Sequence, residues 1–237
     1  MSKAIRIADN LYRIPTLGFF INSYALINDD GSVTLVDCGL KKAPAKIVAG
    51  LKSLGKDPKD VQSIILTHAH DDHIGGAAEM IKNTNVQRVA MHESDAGYAE
   101  AGKSPKPDLS STSGRFLARM PQGGHEPFHV TQLLKDGDIL LGAGELQVIH
   151  TPGHTEGHIS LLHKRTGTLI TGDSIFNMTS RISWSLSGFC VDYKQARATA
   201  QRFLDLDFTN AAFTHGPEII GEGKVKIKNF LSNKGSN

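Results

Sequence analysis

Residues 66–76, LTHAHDDHIGG, place three histidines and two aspartates in the six positions from His68 to His73, directly behind the apolar run VQSIILT. That run predicts a buried strand, and a strand ending in imidazoles and carboxylates carries them to a loop at its end, where function collects. If the first residues continue the strand, His68 and His70 project to the same side and one metal ion can share both. Asp72 and His73 follow where the chain turns, placed for a second ion, since two-metal sites hold their ions about 3.5–4 Å apart. Gly75 and Gly76 suit a backbone that bends sharply around such a site.

The rest of the chain alternates β-like and helical runs around this point. NLYRIPT, INSYALI and VTLVDCG, with the turn cluster NDDGS between the last two, predict a meander of antiparallel strands. APAKIVAGLKSLG predicts a helix with Pro44 at its start and Gly55 at its stop, and GGAAEMIKN a second one. RVAMHESDAGYAEA repeats the strand, loop and helix rhythm. ELQVIH, a hairpin HISLLHKRTGTLIT turning at Thr166 and Gly167, the amphipathic helix DYKQARATAQRFLDL and the strand AAFTH follow. Helices interleaved with mostly antiparallel strands point to sheets covered by helices, not to a parallel Rossmann sheet. All 237 residues, 1–237, read as one domain.

Twenty-six Lys and Arg against 24 Asp and Glu leave no basic excess to suggest nucleic acid as a partner. No run has the length of a membrane span or the form of a signal peptide, so a cytoplasmic protein without membrane association is expected. In that setting Cys38 and Cys190 are expected free and partly buried.

Three later residues end apolar runs as the histidine cluster does: His154 in the turn HTPGHTEGH, Asp173 in LITGDSIF and His215 in AAFTHG. From strand ends all three can reach a common site, and the two oxygens of Asp173 can bind one ion each. His92, His150, His158 and His163 are read instead as hydrogen-bonding residues near strands.

Those seven positions, His68, His70, Asp72, His73, His154, Asp173 and His215, fill the pattern His-x-His-x-Asp-His, Pro-Gly-His, Gly-Asp, His, and the chain thereby resembles the metallo-β-lactamase superfamily of hydrolases. The resemblance implies an α/β (α+β) chain folded as a four-layer αββα sandwich with the site along one edge. It implies two divalent metal ions, zinc foremost with manganese or iron as alternatives: His68, His70 and His154 on the first, Asp72, His73 and His215 on the second, Asp173 bridging. Asp37, in LVDCG, matches a position where an aspartate orients a ligand histidine. Two such ions bring the pKa of a shared water to around 7, so that hydroxide is available for hydrolysis. Asp72 is then the candidate catalytic proton shuttle to the leaving group.

The substrate is narrowed by departures within that resemblance. True class B β-lactamases lack the bridging aspartate. Acylhomoserine lactonases usually carry a tyrosine where this chain has Phe176. TPGHTEGHISLL and TGDSIF look most like glyoxalase II and its small relatives, which hydrolyse thioesters, although only 22 residues follow His215, too few for a glutathione-gripping helical domain. A small-molecule thioester or other ester is the expected substrate, with a lactonase or a one-iron persulfide dioxygenase as alternatives.

Two segments are expected to shape the pocket. Residues 102–129, long for a connection, offer Phe116, Met120 and Phe128 as an apolar wall with His125 and His129 as polar contacts, or else form a surface loop with a short helix. Residues 176–189 carry Phe176, Met178, Arg181, Trp184 and Phe189, for pocket, core or a homodimer contact, with Arg181 able to meet a carboxylate. The lysines of GKVKIKNFLSNKG are expected to form a solvated face.

Overall fold

The computed structural model describes residues 3–119, 124–142, 144–179 and 181–234. Its first sheet takes seven strands in chain order: β1 (Ile5–Ala8), β2 (Leu11–Leu17), β3 (Ile21–Ile27), β4 (Val33–Val36), β5 (Val61–Leu66), β6 (Arg88–His92) and β7 (Gln132–Leu134). The antiparallel meander holds from β1 to β4, but β4 to β7 pair in parallel, because the chain returns each time through a crossover. Those crossovers carry α1 (Pro44–Ser53), α2 (Asp71–Ile74), α3 (Ala77–Asn83), α4 (Glu93–Ala101) and α5 (Thr112–Leu117). Most strand pairs among the described residues are antiparallel, as the sequence pattern implies, and the parallel half of this sheet is where the helical crossovers fall.

The second sheet has the order β14-β11-β10-β9-β8, from β8 (Ile139–Leu140), β9 (Leu146–His150), β10 (Ile159–His163), β11 (Thr168–Ile170) and β14 (Asn210–Ala212). A small ribbon pairs β12 (Ile175–Phe176) with β13 (Ser183–Trp184). The helices on this side are α6 (Tyr193–Ala200) and α7 (Gly223–Lys234). Asp192 caps α6 by accepting from the Gln195 amide at 2.8 Å, and the helix tightens into a 3-10 segment, Gln201–Asp205, before the end that periodicity predicts.

Burial explains the stacking. Tyr24, Leu26, Val36 and Ile65 from the first sheet meet Leu146, Val148, Leu161 and Ile170 from the second. Ile47, Leu51, Met80 and Ala99 cover the outer face of the first, and Phe203, Ile227, Phe230 and Leu231 that of the second. The layers are therefore helix, sheet, sheet, helix, the αββα sandwich. On helix α7, Lys226 and Lys228 lie on the expected solvated face, whereas the Lys224 ammonium caps the carbonyls of Phe203, Leu204 and Leu206, and Ile227, Phe230 and Leu231 face the core. Cys38 and Cys190 are free thiols and both are fully buried. Among the described residues no helix is long and apolar enough to cross a membrane.

Strand direction places the site. β4 and β5 run in parallel, as do β11 and β14, and β9 shares their sense with β11 because both oppose β10. Asp37, His68 to His73, His154, Asp173 and His215 follow the C-terminal ends of β4, β5, β9, β11 and β14, in that order. Cross-links hold the two sheets in register there: the Ile159 amide donates to the Thr67 carbonyl at 2.9 Å, and the Tyr24 hydroxyl to the Phe213 carbonyl at 2.6 Å.

Candidate metal centre

Strand β5 stops at Leu66, so His68 and His70 sit on the loop beyond it rather than on the strand. That loop is bent tightly enough to need glycine: a Cβ on Gly76 would lie 2.5 Å from the Cys38 carbonyl oxygen. The turn bearing His154 has the same requirement, since Gly153 has φ +125° and a Cβ there would lie 2.1 Å from the Ala196 amide at the foot of α6.

The loops bring the seven predicted ligands together in two overlapping sets. His68 Nε2 stands 3.1 Å from His70 Nδ1, which stands 2.9 Å from His154 Nε2. Asp72 Oδ2 lies 3.4 Å from His215 Nε2 and 3.8 Å from His73 Nε2. Asp173 spans both sets, with Oδ2 3.3 Å from His154 Nε2 and 3.2 Å from His215 Nε2, and Oδ1 3.3 Å from His73 Nε2. Nitrogens sharing one tetrahedral zinc, at about 2.0–2.1 Å each, stand roughly 3.3 Å apart, so the spacing is that of a metal set.

Hydrogen bonds on the far side of the rings decide which nitrogens face inward. The carboxylate of Asp37, buried and at φ +59°, accepts from the Thr67 amide at 2.8 Å, the Thr67 hydroxyl at 2.8 Å and His73 Nδ1 at 2.7 Å. With its proton committed to Asp37, the Thr67 oxygen accepts from His68 Nδ1 at 3.1 Å. His215 Nδ1 donates to the Phe20 carbonyl at 2.5 Å. Each leaves an Nε2 lone pair aimed into the cluster. His73 Nε2 is buried and has no hydrogen-bond partner among the described residues, an orphan that a cation would satisfy. The donor set, imidazole nitrogens with two carboxylates, fits a divalent ion.

Without an ion, protons take its place. Burial works against imidazolium throughout, and at His70, beside His154, it holds the pKa down to about 3. At His154 and His215 burial is overridden by the Asp173 carboxylate, which lifts them to about 9 and about 10. Burial likewise opposes the Asp72 and Asp173 anions, yet their histidine neighbours keep both carboxyls well below the ordinary range.

Four further side chains support the site; His158 hydrogen-bonds as its sequence context predicts, whereas Asp95, Cys190 and Thr214 carried no such signal. Asp95, buried on α4, accepts from the Ala69 amide at 2.9 Å, the Thr155 hydroxyl at 2.6 Å and the Gly157 amide at 2.7 Å, tying the His68 and His154 loops together. An aspartate in the first turn of a helix otherwise reads as a dipole partner. Cys190 places its sulfur 3.5 Å from His154 Nδ1. His158 accepts from the Asp173 backbone amide at 2.7 Å, while the Thr214 hydroxyl donates to Asp173 Oδ1 at 2.7 Å, so the backbone and the carboxylate of Asp173 are each held.

The cluster opens into a cavity of about 590 Å³. Of the predicted contacts Phe176, Met178 and Phe189 line it, the Phe176 ring 4.5 Å from that of His215, and Ser104, Pro105 and Pro107 represent the 102–129 segment. Phe116, on α5, is 67 % exposed and away from the cavity, because α5 leans on residues 187–189 and turns that ring outward. Phe128 is buried in the core beneath the first helical layer. Trp184 packs on Phe230 at 4.8 Å under the Arg197 guanidinium, since the β12–β13 ribbon folds over α7. Arg181 lines a separate surface cavity with Glu218 and Lys226. Met120 lies outside the described residues. His125 is buried between Asp71 and the Ala99 carbonyl, and His129 is exposed beside Glu100.

Comparison with known proteins places this geometry. The family profile described as the metallo-beta-lactamase superfamily matches residues 17–215. A probable metallo-hydrolase of Bacillus subtilis, YybB, is 30% identical over 92% of this chain and 88% of its own. The acyl-coenzyme A thioesterase MBLAC2 of Gallus gallus is 29% identical over 71% of this chain and 60% of that protein. A solved metallo-beta-lactamase family protein of Thermus thermophilus shares the fold at a TM-score of 0.73, with 24% identity over 98% of this chain and 81% of that one.

Proposed function

The chain belongs to the metallo-β-lactamase superfamily and is a metal-dependent hydrolase, and on that premise we propose that it holds two divalent ions, zinc or manganese, and cleaves a thioester or related ester of a small molecule. The observation that carries the proposal is Asp173, whose carboxylate lies between the two ligand sets, with Oδ2 within 3.3 Å of His154 Nε2 and 3.2 Å of His215 Nε2 and Oδ1 3.3 Å from His73 Nε2. His68, His70 and His154 would hold one ion, Asp72, His73 and His215 the other. Bound there, the ions would supply a water of lowered pKa and polarise the carbonyl under attack.

The chain's own residues do the rest. Asp37 and Thr67 fix the tautomers of His73 and His68, and Asp95 locks the loops so that the site is preorganised. Asp72 lines the cavity with a side chain 31 % exposed, against 5 % for Asp173, and so is the carboxylate able to relay a proton. Hydrolysis adds the water oxygen to the acyl carbon, breaks the bond to sulfur and passes the proton to the thiolate through Asp72. The relation to an acyl-coenzyme A thioesterase supports the choice of bond.

The test is metal content per chain, by mass spectrometry on protein purified without chelator, together with a screen of thioesters, lactones and phosphodiesters. About two zinc or manganese ions and thioester turnover are expected, with Asp72→Asn retaining some metal but losing at least about 100-fold in kcat, the scale of general acid–base catalysis. One tightly held iron with oxygen consumption would overturn the proposal.

A further inference from the structure

The walls of the cavity differ from its floor. Above His70, Asp72, His154, Asp173 and His215, it is lined by Phe20 from the β2–β3 turn, Leu40 from the loop after β4, and Leu186 and Phe189 from the segment before α6. These four are 49 %, 39 %, 54 % and 48 % exposed, respectively. Large apolar side chains left half in water are ordinary when scattered, but here three separate segments turn theirs toward one opening. Among the described residues no lysine or arginine lines the cavity. The one charged group there outside the predicted ligands, Asp71, is an acid already engaged by Ser104 and His125.

We propose that the cavity selects substrates by an uncharged hydrocarbon acyl chain of medium length, which lies between Phe20, Leu40, Leu186 and Phe189 with its carbonyl at the histidine and aspartate floor. The selection rests on the hydrolase reading above and specifies its substrate class. A chain laid there buries its own methylenes and the exposed faces of all four side chains, and the volume suits a ligand of that size. An acyl group ending in a carboxylate finds no cation to pair with among the described lining residues and loses its hydration beside Asp71, so the same walls reject it.

The experiment uses N-acetylcysteamine thioesters from acetyl to decanoyl, with succinyl as the charged control, on the metal-loaded full chain. kcat/KM is expected to rise about twofold to fourfold per methylene to a plateau, the yield of burying each CH2. Succinyl should fall below butyryl at least tenfold. Leu186→Ser with Phe189→Ser should flatten the slope, lowering the decanoyl-to-acetyl ratio about tenfold or more, whereas Phe116→Ser, off the cavity, leaves it unchanged. The same acyl groups as nonhydrolysable thioether analogues, titrated by calorimetry, read the preference without turnover. Affinity that climbs with chain length while no thioester is cleaved would strike down the thioesterase reading and sustain the acyl preference. Affinity and turnover that are flat with length, or that favour succinyl, would overturn the inference itself.

Discussion

Replacing Asp37 by Asn tests whether the orientation of His73 is set from behind the ligand. Asn is among the residues that best tolerate the φ of +59° at this position, so the backbone should persist. The carboxylate accepts three hydrogen bonds, from the Thr67 amide on Oδ1 and from the Thr67 hydroxyl and His73 Nδ1 on Oδ2, the ring's other neighbour being the Thr67 oxygen at a longer 3.3 Å. An amide offers a single acceptor oxygen. With that oxygen in the place of Oδ2 the NH2 group faces the Thr67 N–H, and in the place of Oδ1 it faces His73 Nδ1 and pushes the proton of that ring to Nε2, the atom aimed at the metal set. Either way one buried donor is orphaned, at about 1–3 kcal/mol. For a chain of this size each kcal/mol lowers Tm by about 2–4 °C. Metal affinity of the Asp72, His73 and His215 set should fall about 10–100-fold, the usual effect of removing the partner behind a ligand. Zinc titration against a competing chelator, with thermal unfolding of the metal-free protein alongside, measures both. Asp37→Ala should be worse, because it frees all three donors and adds strain at positive φ. Zinc affinities within twofold of the unaltered chain, with an unmoved Tm, would refute the reasoning.

Asp95→Ala leaves two backbone amides and a threonine hydroxyl without their acceptor, and should cost about 2–4 kcal/mol in urea unfolding while weakening metal binding at both ligand sets, because it uncouples the His68 and His154 loops. Cys190→Ala should loosen the ion nearest His154 about tenfold by chelator competition, and Cys190→Ser, which keeps an acceptor, should restore most of it. The metal-free protein should lose stability as pH rises. His154 and His215 titrate at about 9 and about 10, above the unfolded value of about 6.5, so their imidazolium forms stabilise the fold fully below about pH 6.5, and that contribution fades as pH passes 9 to 10. Added zinc should reverse the trend, shifting Tm little at pH 5.5 and most above pH 8, since binding requires neutral imidazoles; a zinc shift independent of pH would contradict this.

The chemistry of the site was written locally. Imidazoles and carboxylates at the ends of apolar runs are legible because strand patterning and ligand identity are both properties of a few consecutive residues, and so His68, His70, Asp72, His73, His154, Asp173 and His215 could be named from the sequence and stand together in the structure. The helix from Pro44, the hairpin turning at Thr166 and Gly167 and the layered class were legible for the same reason. What the sequence left open depends on contacts between residues far apart in the chain. The parallel pairing of β4 to β7 is fixed by which way crossovers return, and periodicity is silent on direction. Asp95 meets Gly157 across 62 residues and Cys190 meets His154 across 36, partnerships that exist only after the sandwich closes. The pocket shows the division most plainly. Phe116, Phe128 and Trp184 have the composition of pocket residues, yet Phe20, Leu40 and Leu186 hold those places, because whether an apolar side chain faces core, solvent or substrate is decided by the packing of the segments around it and not by its neighbours in the chain.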